Sequence, residues 1–553
     1  MSKLRIYSLL LVFIGLFSFI GPQKPGPKIP KQPNIVWLVA EDMSPYIAAF
    51  GDHTIETPNL DWLAKEGICY DNFYTPSPVC SPSRAALATG MYPTQIGANH
   101  MRTGPWYKGS ALTAGTKPAT LTDGSIAYEA TPAPEVKMFT EYLRKAGYYC
   151  TNNFKEDYQF IKTLGAWDVS GPEATWKDRK EGQPFFAMKT FMVTHESQIW
   201  AKTKDSLWVA ENLDVPIPPY LPNTEVAKKD IRRMYSNIKQ MDAEVGQFIQ
   251  ELKDSGELEN TIIIWYTDHG GPLPRQKRAI YDSGLQVPMI IRFPDQAKKG
   301  TREDRMISFV DMPATVLSLA GIKPPSYMNG KAFLGKYEDS PRDYIYAASD
   351  RYDEATDAIR AVRDKRYLYV RNYLPELPMY LHVAYRDQMA LMQELYRLRD
   401  EGKLTPTQAL WFAASKQKEE LYDTETDPYQ IHNIIDDPKL QAIKAELSLA
   451  LDNWIKSTGD LNLIPESELK AKFLPNGKQP VTSKPIVSVK NGKVKVTCPT
   501  EGASIAYKFI NKGEEPTDNH WHLYTGPFAF EKGKELVVYA HRLGYLPASQ
   551  TIQ

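Results

Sequence analysis

The sequence predicts an α/β fold, a large mixed sheet flanked by helices, followed by a smaller antiparallel α+β subdomain and a C-terminal β-sandwich module. Three observations predict it. Two continuous apolar runs, 34–40 and 261–267, read as strands buried on both faces. Apolar residues recur at helical spacing over 225–255, and that segment leads into the second run. Beyond about Tyr344 the pattern changes to alternation and short strands.

The N-terminus carries Lys3 and Arg5 and then an apolar stretch from Ile6 to Ile20. About 15 apolar residues suit a signal-peptide core better than a spanning helix. Residues 1–21 are therefore expected to be a signal peptide and 22–33 a Pro- and Lys-rich tether. The protein is expected to be exported, periplasmic or secreted, with no stable membrane insertion after cleavage.

The first strand opens an α/β domain expected over 34–343. In its longest helix, Ile231, Tyr235, Ile238, Met241, Val245, Phe248, Ile249 and Leu252 form one apolar face, and Gly256 stops it. The subdomain is expected over 344–475, with a hairpin in 360–370 and a closing helix over 438–457. Short strands at 486–489, 494–497, 504–509 and 536–540 define the module, 481–553, and Asn491-Gly492 marks a hairpin turn.

Composition sets limits. A chain of 553 residues, 42% of them hydrophobic, can bury a large core in at least two domains. Its formal net charge of zero argues against broad nucleic-acid binding. Cys69, Cys80, Cys150 and Cys498 are too few for a disulfide scaffold in an exported chain this long.

Cys80-Ser81-Pro82-Ser83-Arg84, closing in Thr89-Gly90, is the most informative stretch. Ser81 reads as an N-cap and Pro82 as the first helical residue. Cys80 then sits at the mouth of a helix, where free N–H groups and the dipole favour an anion. Arg84, four residues on, shares a helix face with Cys80 and can hold that anion. Both apolar runs end in acid: Glu41-Asp42 after the first, Asp268-His269 after the second. Ligands gather at the carboxyl ends of strands in open α/β sheets, so two acidic strand ends that meet make an oxygen-rich site for a hard cation.

The stretch Cys80 to Gly90 resembles the signature of type I sulfatases, Cys-x-Pro-x-Arg followed by Thr-Gly. The resemblance covers about Pro33 to Gly459 and implies the alkaline-phosphatase-like sulfatase fold. It implies that a maturation enzyme oxidises Cys80 to formylglycine (3-oxoalanine), the nucleophile of a sulfuric ester hydrolase. The two acidic strand ends resemble the family's calcium-binding segments, with Glu41 in place of the usual first Asp. The implied metal set is Glu41, Asp42, Cys80, Asp268 and His269 around one calcium ion; magnesium, which demands tighter octahedral geometry, is the runner-up.

Further site residues follow from the resemblance. Lys277 stands five residues before Asp282-Ser283-Gly284, where the family has a Lys before Glu-Gly-Gly. His195 matches the mid-chain histidine. Lys155 matches the Lys of Gly-Lys-x-His, with Asp157 where the His would be. The implied catalytic set is Cys80, Arg84, Lys155, His195 and Lys277. In the implied mechanism a hydroxyl of the hydrated aldehyde attacks sulfur, and the cation and lysines neutralise the sulfuryl oxygens. A general acid then protonates the leaving sugar oxygen; His195 or another residue fills that role, since imidazole titrates near neutral pH.

The surroundings resemble a glycan-desulfating branch, similar to bacterial heparan N-sulfatase-like proteins. The stretches Asn99-His100-Met101-Arg102 and Asp350-Arg351-Tyr352-Asp353-Glu354 carry that resemblance. His100, Arg102, Asp350 and Arg351 are the candidate sugar contacts. The expected substrate is a sulfated oligo- or polysaccharide: ulvan, carrageenan or a glycosaminoglycan. The C-terminal module resembles the small β-sandwich of chitobiase-like glycan enzymes, with Trp521 a conceivable stacking platform. Two alternatives stay open, a phosphodiester or phosphonate monoester hydrolase of the same superfamily and a non-catalytic glycan-binding protein.

Overall fold

The computed structural model describes residues 32–104 and 127–553. The expected signal peptide and all but the end of the tether lie outside the described residues.

A mixed eight-stranded sheet forms the centre. Its spatial order is Val169–Ser170, Tyr149–Asn153, Phe185–Phe191, Asn34–Ala40, Thr261–Thr267, Met289–Arg292, Ile68–Tyr70 and Thr301–Glu303. The strands Asn34–Ala40 and Thr261–Thr267 coincide with the two apolar runs and are buried throughout. Side chains alternate between faces along a strand. Ile35, Trp37, Val39, Ile262, Ile264 and Tyr266 pack to one face with Phe139 and Val316. Val36, Leu38, Ile263 and Trp265 pack to the other with Ile231, Ile238 and Val245. Covering both faces is what makes these strands uniformly apolar.

The long helix spans Glu225–Asp254, and the Thr224 side chain accepts from the Ala227 N–H at its start. Its end is a Schellman motif, with Gly256 N–H on Lys253 O and Glu257 N–H on Leu252 O. Gly256 takes φ +74°, which only glycine adopts without strain.

A four-stranded antiparallel sheet follows: Ile345–Ser349, Ile359–Arg363, Tyr367–Asn372 and Glu419–Asp423. The hairpin expected over 360–370 is its middle pair. The helix Gln441–Thr458 packs Leu447, Leu451 and Trp454 against Val362 and Tyr369.

The last residues form two small sheets around Val494, Val496, Leu536 and Val538. Ile486–Lys490 and Lys493–Thr497 pair across Asn491-Gly492, both at positive φ as a type I′ turn demands. The structure corrects one expectation here. Trp521 is no stacking platform: it is 1% exposed, packed against Ile161 and Leu164 of the central body, with its indole N–H on Thr517 O at 2.6 Å.

Candidate active site

The parallel register of the two central strands sets Ala40 opposite Thr267. The residues that follow, Glu41-Asp42 and Asp268-His269, therefore emerge side by side at the carboxyl edge of the sheet. The Asp42 N–H donates to Asp268 Oδ1 at 3.1 Å, and Asp42 sits at φ +44°. Gly270 makes the next turn possible. A Cβ there would meet Ser283 O at 2.1 Å, and the close approach lets Gly270 N–H reach Gly284 O at 2.9 Å.

The signature helix spans Cys80–Thr89 and starts two residues earlier than its sequence suggests. Val79 is the N-cap in place of Ser81, Cys80 opens the helix, and Pro82 sits third. Pro82 is still within the first turn, where its missing N–H removes no helical bond. Ser83 Oγ donates to Asp268 O at 2.5 Å and locks the helix to the strand end. Cys80 Sγ then lies 3.3 Å from His269 Nε2 and 3.9 Å from Asp42 Oδ1.

Arg84 bridges the two strand ends, bonding Glu41 Oε1 and lying 3.3 Å from Asp268 Oδ2. Lys155 binds the other Glu41 oxygen. Glu41 thus uses its longer reach to join two cations. Lys277 Nζ lies 2.7 Å from Asp42 Oδ2, 3.2 Å from Glu196 Oε1 and 3.4 Å from His195 Nε2. His195 Nδ1 meets Ser197 Oγ at 2.8 Å, which fixes the ring and leaves Nε2 facing Lys277.

Burial opposes the charges of Asp42, Cys80, Arg84, Lys155, His269 and Lys277, and partners overcome it. Lys277, His195 and His269 hold the Asp42 carboxyl well below the usual range. Lys155, Lys277 and His269 likewise hold the Cys80 thiol well below its usual value. Asp268, Asp42 and Cys80 raise His269 to about 10.

The donor set fits a divalent cation. Oxygens of Asp42 and Asp268, His269 Nε2 and Cys80 Sγ all lie within 4.8 Å of one another, and Glu41, Asp42, Cys80 and His195 form an overlapping group. Two buried carboxylates this close repel unless a positive charge lies between or beside them. The oxygen donors of Glu41, Asp42 and Asp268 suit a hard ion, with nitrogens of His269 and His195 beside them.

The structure therefore brings Glu41, Asp42, Cys80, Arg84, Lys155, His195, Asp268, His269 and Lys277 into one cluster. The expected sugar contacts divide. Arg102, about one third exposed, pairs with Asp353, which also holds Arg278 at 3.1 Å. Arg102, Asp353 and Arg278 are all at positive φ, a concentration of backbone strain typical of functional sites. Asp350 is buried against Arg360 at 2.8 Å and borders a cavity of about 80 Å³ that Lys277, Arg278, Tyr352 and Arg386 also line. Arg351 forks onto Glu466 at 2.5 and 2.7 Å, and its N–H meets His100 Nδ1 at 3.3 Å. Asp350 and Arg351 are thus internal ties in this structure, while His100 Nε2 is buried without a partner among the described residues.

Glu196 and Arg278 were not singled out from the sequence. Each directly follows a predicted site residue, His195 and Lys277, and a charge adjoining a strand-end histidine or a conspicuous lysine is the signal that marks them.

Comparison with known proteins agrees with this geometry. The family described as Sulfatase matches residues 33–322, and the one described as N-sulphoglucosamine sulphohydrolase, C-terminal, matches 275–405. An ulvan-active sulfatase of Formosa agariphila is 48% identical, covering 100% of this chain and 98% of that protein. The human N-sulphoglucosamine sulphohydrolase is 24% identical over 80% of this chain and 94% of its own. The structure of BT4656 in complex with its substrate D-glucosamine-2-N,6-O-disulfate superposes with a TM-score of 0.54 at 17% identity, covering 78% of this chain and 98% of that one. The motif, the paired acidic strand ends and these matches lead to one conclusion: the chain belongs to the sulfatase family and is a sulfuric ester hydrolase.

Proposed function

We propose that the protein removes sulfate from a sulfated polysaccharide or its oligosaccharides, with ulvan first among the polymers, using formylglycine made from Cys80 and one calcium ion. The observation that carries this reading is Cys80 itself, 1% exposed, at the first position of its helix with Arg84, Lys155, Lys277 and His269 gathered around it. The 48% identical relative named as ulvan-active supports the choice of polymer.

Once matured, Cys80 supplies a hydrated aldehyde as nucleophile, and calcium held by Asp42 and Asp268, with Glu41 and His269 in reach, supplies Lewis-acid polarisation of the sulfate oxygens. The chain's own residues do the rest. Arg84 and Lys155, tied together through Glu41, fix the positive wall against which a sulfate group docks. Lys277, held between Asp42 and Glu196, neutralises charge that grows on the sulfuryl oxygens. His195 holds a proton at Nε2 for the leaving sugar oxygen. Its side chain keeps 12% exposure, so a substrate can reach it. Arg102 and Asp353 form the outer lip that meets the sugar.

The charged and apolar N-terminal stretch supports export, and the burial of Cys80 implies that the maturation enzyme acts before the fold closes over it. No helix of the described residues is long and apolar enough to cross a membrane.

The test is sulfate release from sized ulvan, carrageenan and heparin fragments by protein co-expressed with a maturation enzyme, beside Cys80→Ser. Release from ulvan, lost in the variant and accompanied by an aldehyde at position 80 in the mass spectrum, is the expected result. Hydrolysis of phosphate diesters with no sulfate release from any of the glycans overturns the reading.

A further inference from the structure

The outer face of the C-terminal module carries an unbalanced charge. Between Lys478 and Thr500 the chain has five lysines and no Asp or Glu, although its overall net charge is zero. All five, Lys478, Lys484, Lys490, Lys493 and Lys495, are exposed, and none forms an ion pair among the described residues.

The hairpin register gathers three of them. Lys490 stands directly opposite Lys493, and Ser488 opposite Lys495. Cross-strand partners share a face, so Lys490, Lys493, Lys495 and Ser488 point the same way. Val494 and Val496 point the other way into the module core. None of the strands in this sheet carries a carboxylate that could balance the lysines. Like charges directly opposite one another destabilise a hairpin, so the fold tolerates a cost here.

The face also lacks the usual means of holding a neutral sugar. The exposed large hydrophobic side chains of the module are Val481, Ile486 and Val489, with no aromatic among them, and Trp521 is buried. What the face offers is positive charge and hydrogen-bond donors. The module is fastened to the catalytic body by Arg144 on the Trp521 carbonyl, by Lys137 on Ser504 Oγ at 3.1 Å, and by Ser504 Oγ on Glu141 at 2.7 Å. A chain held on this face therefore stays tethered to the catalytic body, at a raised effective concentration.

We infer that the lysine face formed by Lys490, Lys493 and Lys495 is a secondary binding surface for the sulfated polysaccharide, recognising the polymer by its negative charge. The inference rests on the polysaccharide reading above for the identity of the polymer. An electrostatic face of this kind binds by releasing counterions and weakens steeply with salt.

The test compares the full-length protein with the triple variant Lys490→Ala/Lys493→Ala/Lys495→Ala and with Ser488→Lys on immobilised dextran sulfate and on uncharged dextran. The wild type should be retained on dextran sulfate alone. The triple variant should elute at lower salt, with KM on the polymer raised roughly tenfold and turnover of a short sulfated oligosaccharide unchanged. Ser488→Lys should elute later than the wild type. Equal elution of all three proteins, or capture by phosphatidylglycerol vesicles without retention on dextran sulfate, overturns the inference. Retention needs no turnover, so a wild type that binds dextran sulfate and releases no sulfate counts against the catalytic reading and leaves this one standing.

Discussion

Glu196 holds Arg278 through both carboxylate oxygens, at 2.9 and 3.0 Å, while the same carboxylate lies 3.2 Å from Lys277 and its own N–H donates to Asp42 at 2.7 Å. Burial opposes the Glu196 charge, and Arg278 and then Lys277 hold its carboxyl well below the usual range. Glu196 is therefore the positioning residue for Lys277. Removing one partner leaves a buried charge uncompensated. Glu196→Ala should cost about 3–5 kcal/mol in urea unfolding and should lower kcat, because Lys277 loses its second anchor. The double variant Glu196→Leu/Arg278→Met should recover most of the stability and none of the activity. A single variant that unfolds within about 1 kcal/mol of wild type would refute the assignment, being what an exposed pair gives.

The proton role of His195 separates by leaving group. A sugar alkoxide needs protonation as it departs, and an electron-poor phenolate does not. His195→Gln should lower kcat on a sugar sulfate about 10²–10⁴-fold and should spare most of the activity on an activated aryl sulfate. Equal losses on both substrates would place the general acid elsewhere, with Asp157 the next residue to test.

Much of the fold was legible because the physics that shapes it is local. The runs ending at Ala40 and Thr267 are apolar at every position because both faces are covered, and their ends mark the site directly. The helix stop at Gly256 and the Asn491-Gly492 turn are backbone requirements that few residues meet. Pairings between distant segments were not legible. Nothing near Glu196 in the chain announces Arg278, and nothing near Trp521 announces Leu164, because tertiary packing alone joins them. The signature helix starts two residues ahead of its expected position for a similar reason. Ser81 favours an N-cap by local propensity, but the bond from Ser83 to Asp268 pulls the helix against the strand end and lets Val79 cap it.

The crowding of Asp42 and Asp268 beside Glu41 predicts a cation-dependent melting temperature. A ligand that binds only the folded state stabilises by about 2.7 kcal/mol at a hundredfold excess over its Kd. Calcium added to EDTA-treated protein should raise Tm by several degrees, and magnesium should raise it less. Asp42→Asn should abolish the calcium shift while leaving a folded protein. An identical Tm with EDTA and with calcium would rule out a resident ion of this kind.

Two buried histidines set an acid limit on stability. Burial lowers His100 to about 4 and His541 to about 4, from the usual 6.5. Between those values the unfolded chain binds protons that the folded protein refuses, so stability falls as pH drops from about 6.5 towards 4. Each histidine contributes up to about 3 kcal/mol to that loss. His541 has a simple partner, the Tyr545 carbonyl at 3.0 Å from Nε2, which a glutamine amide can still satisfy. His541→Gln should therefore fold normally at pH 7 and should lose less stability than wild type between pH 6.5 and 4.5. Urea midpoints taken across that window decide it: parallel pH curves for the two proteins would mean that His541 is protonated in the fold and carries none of the acid sensitivity.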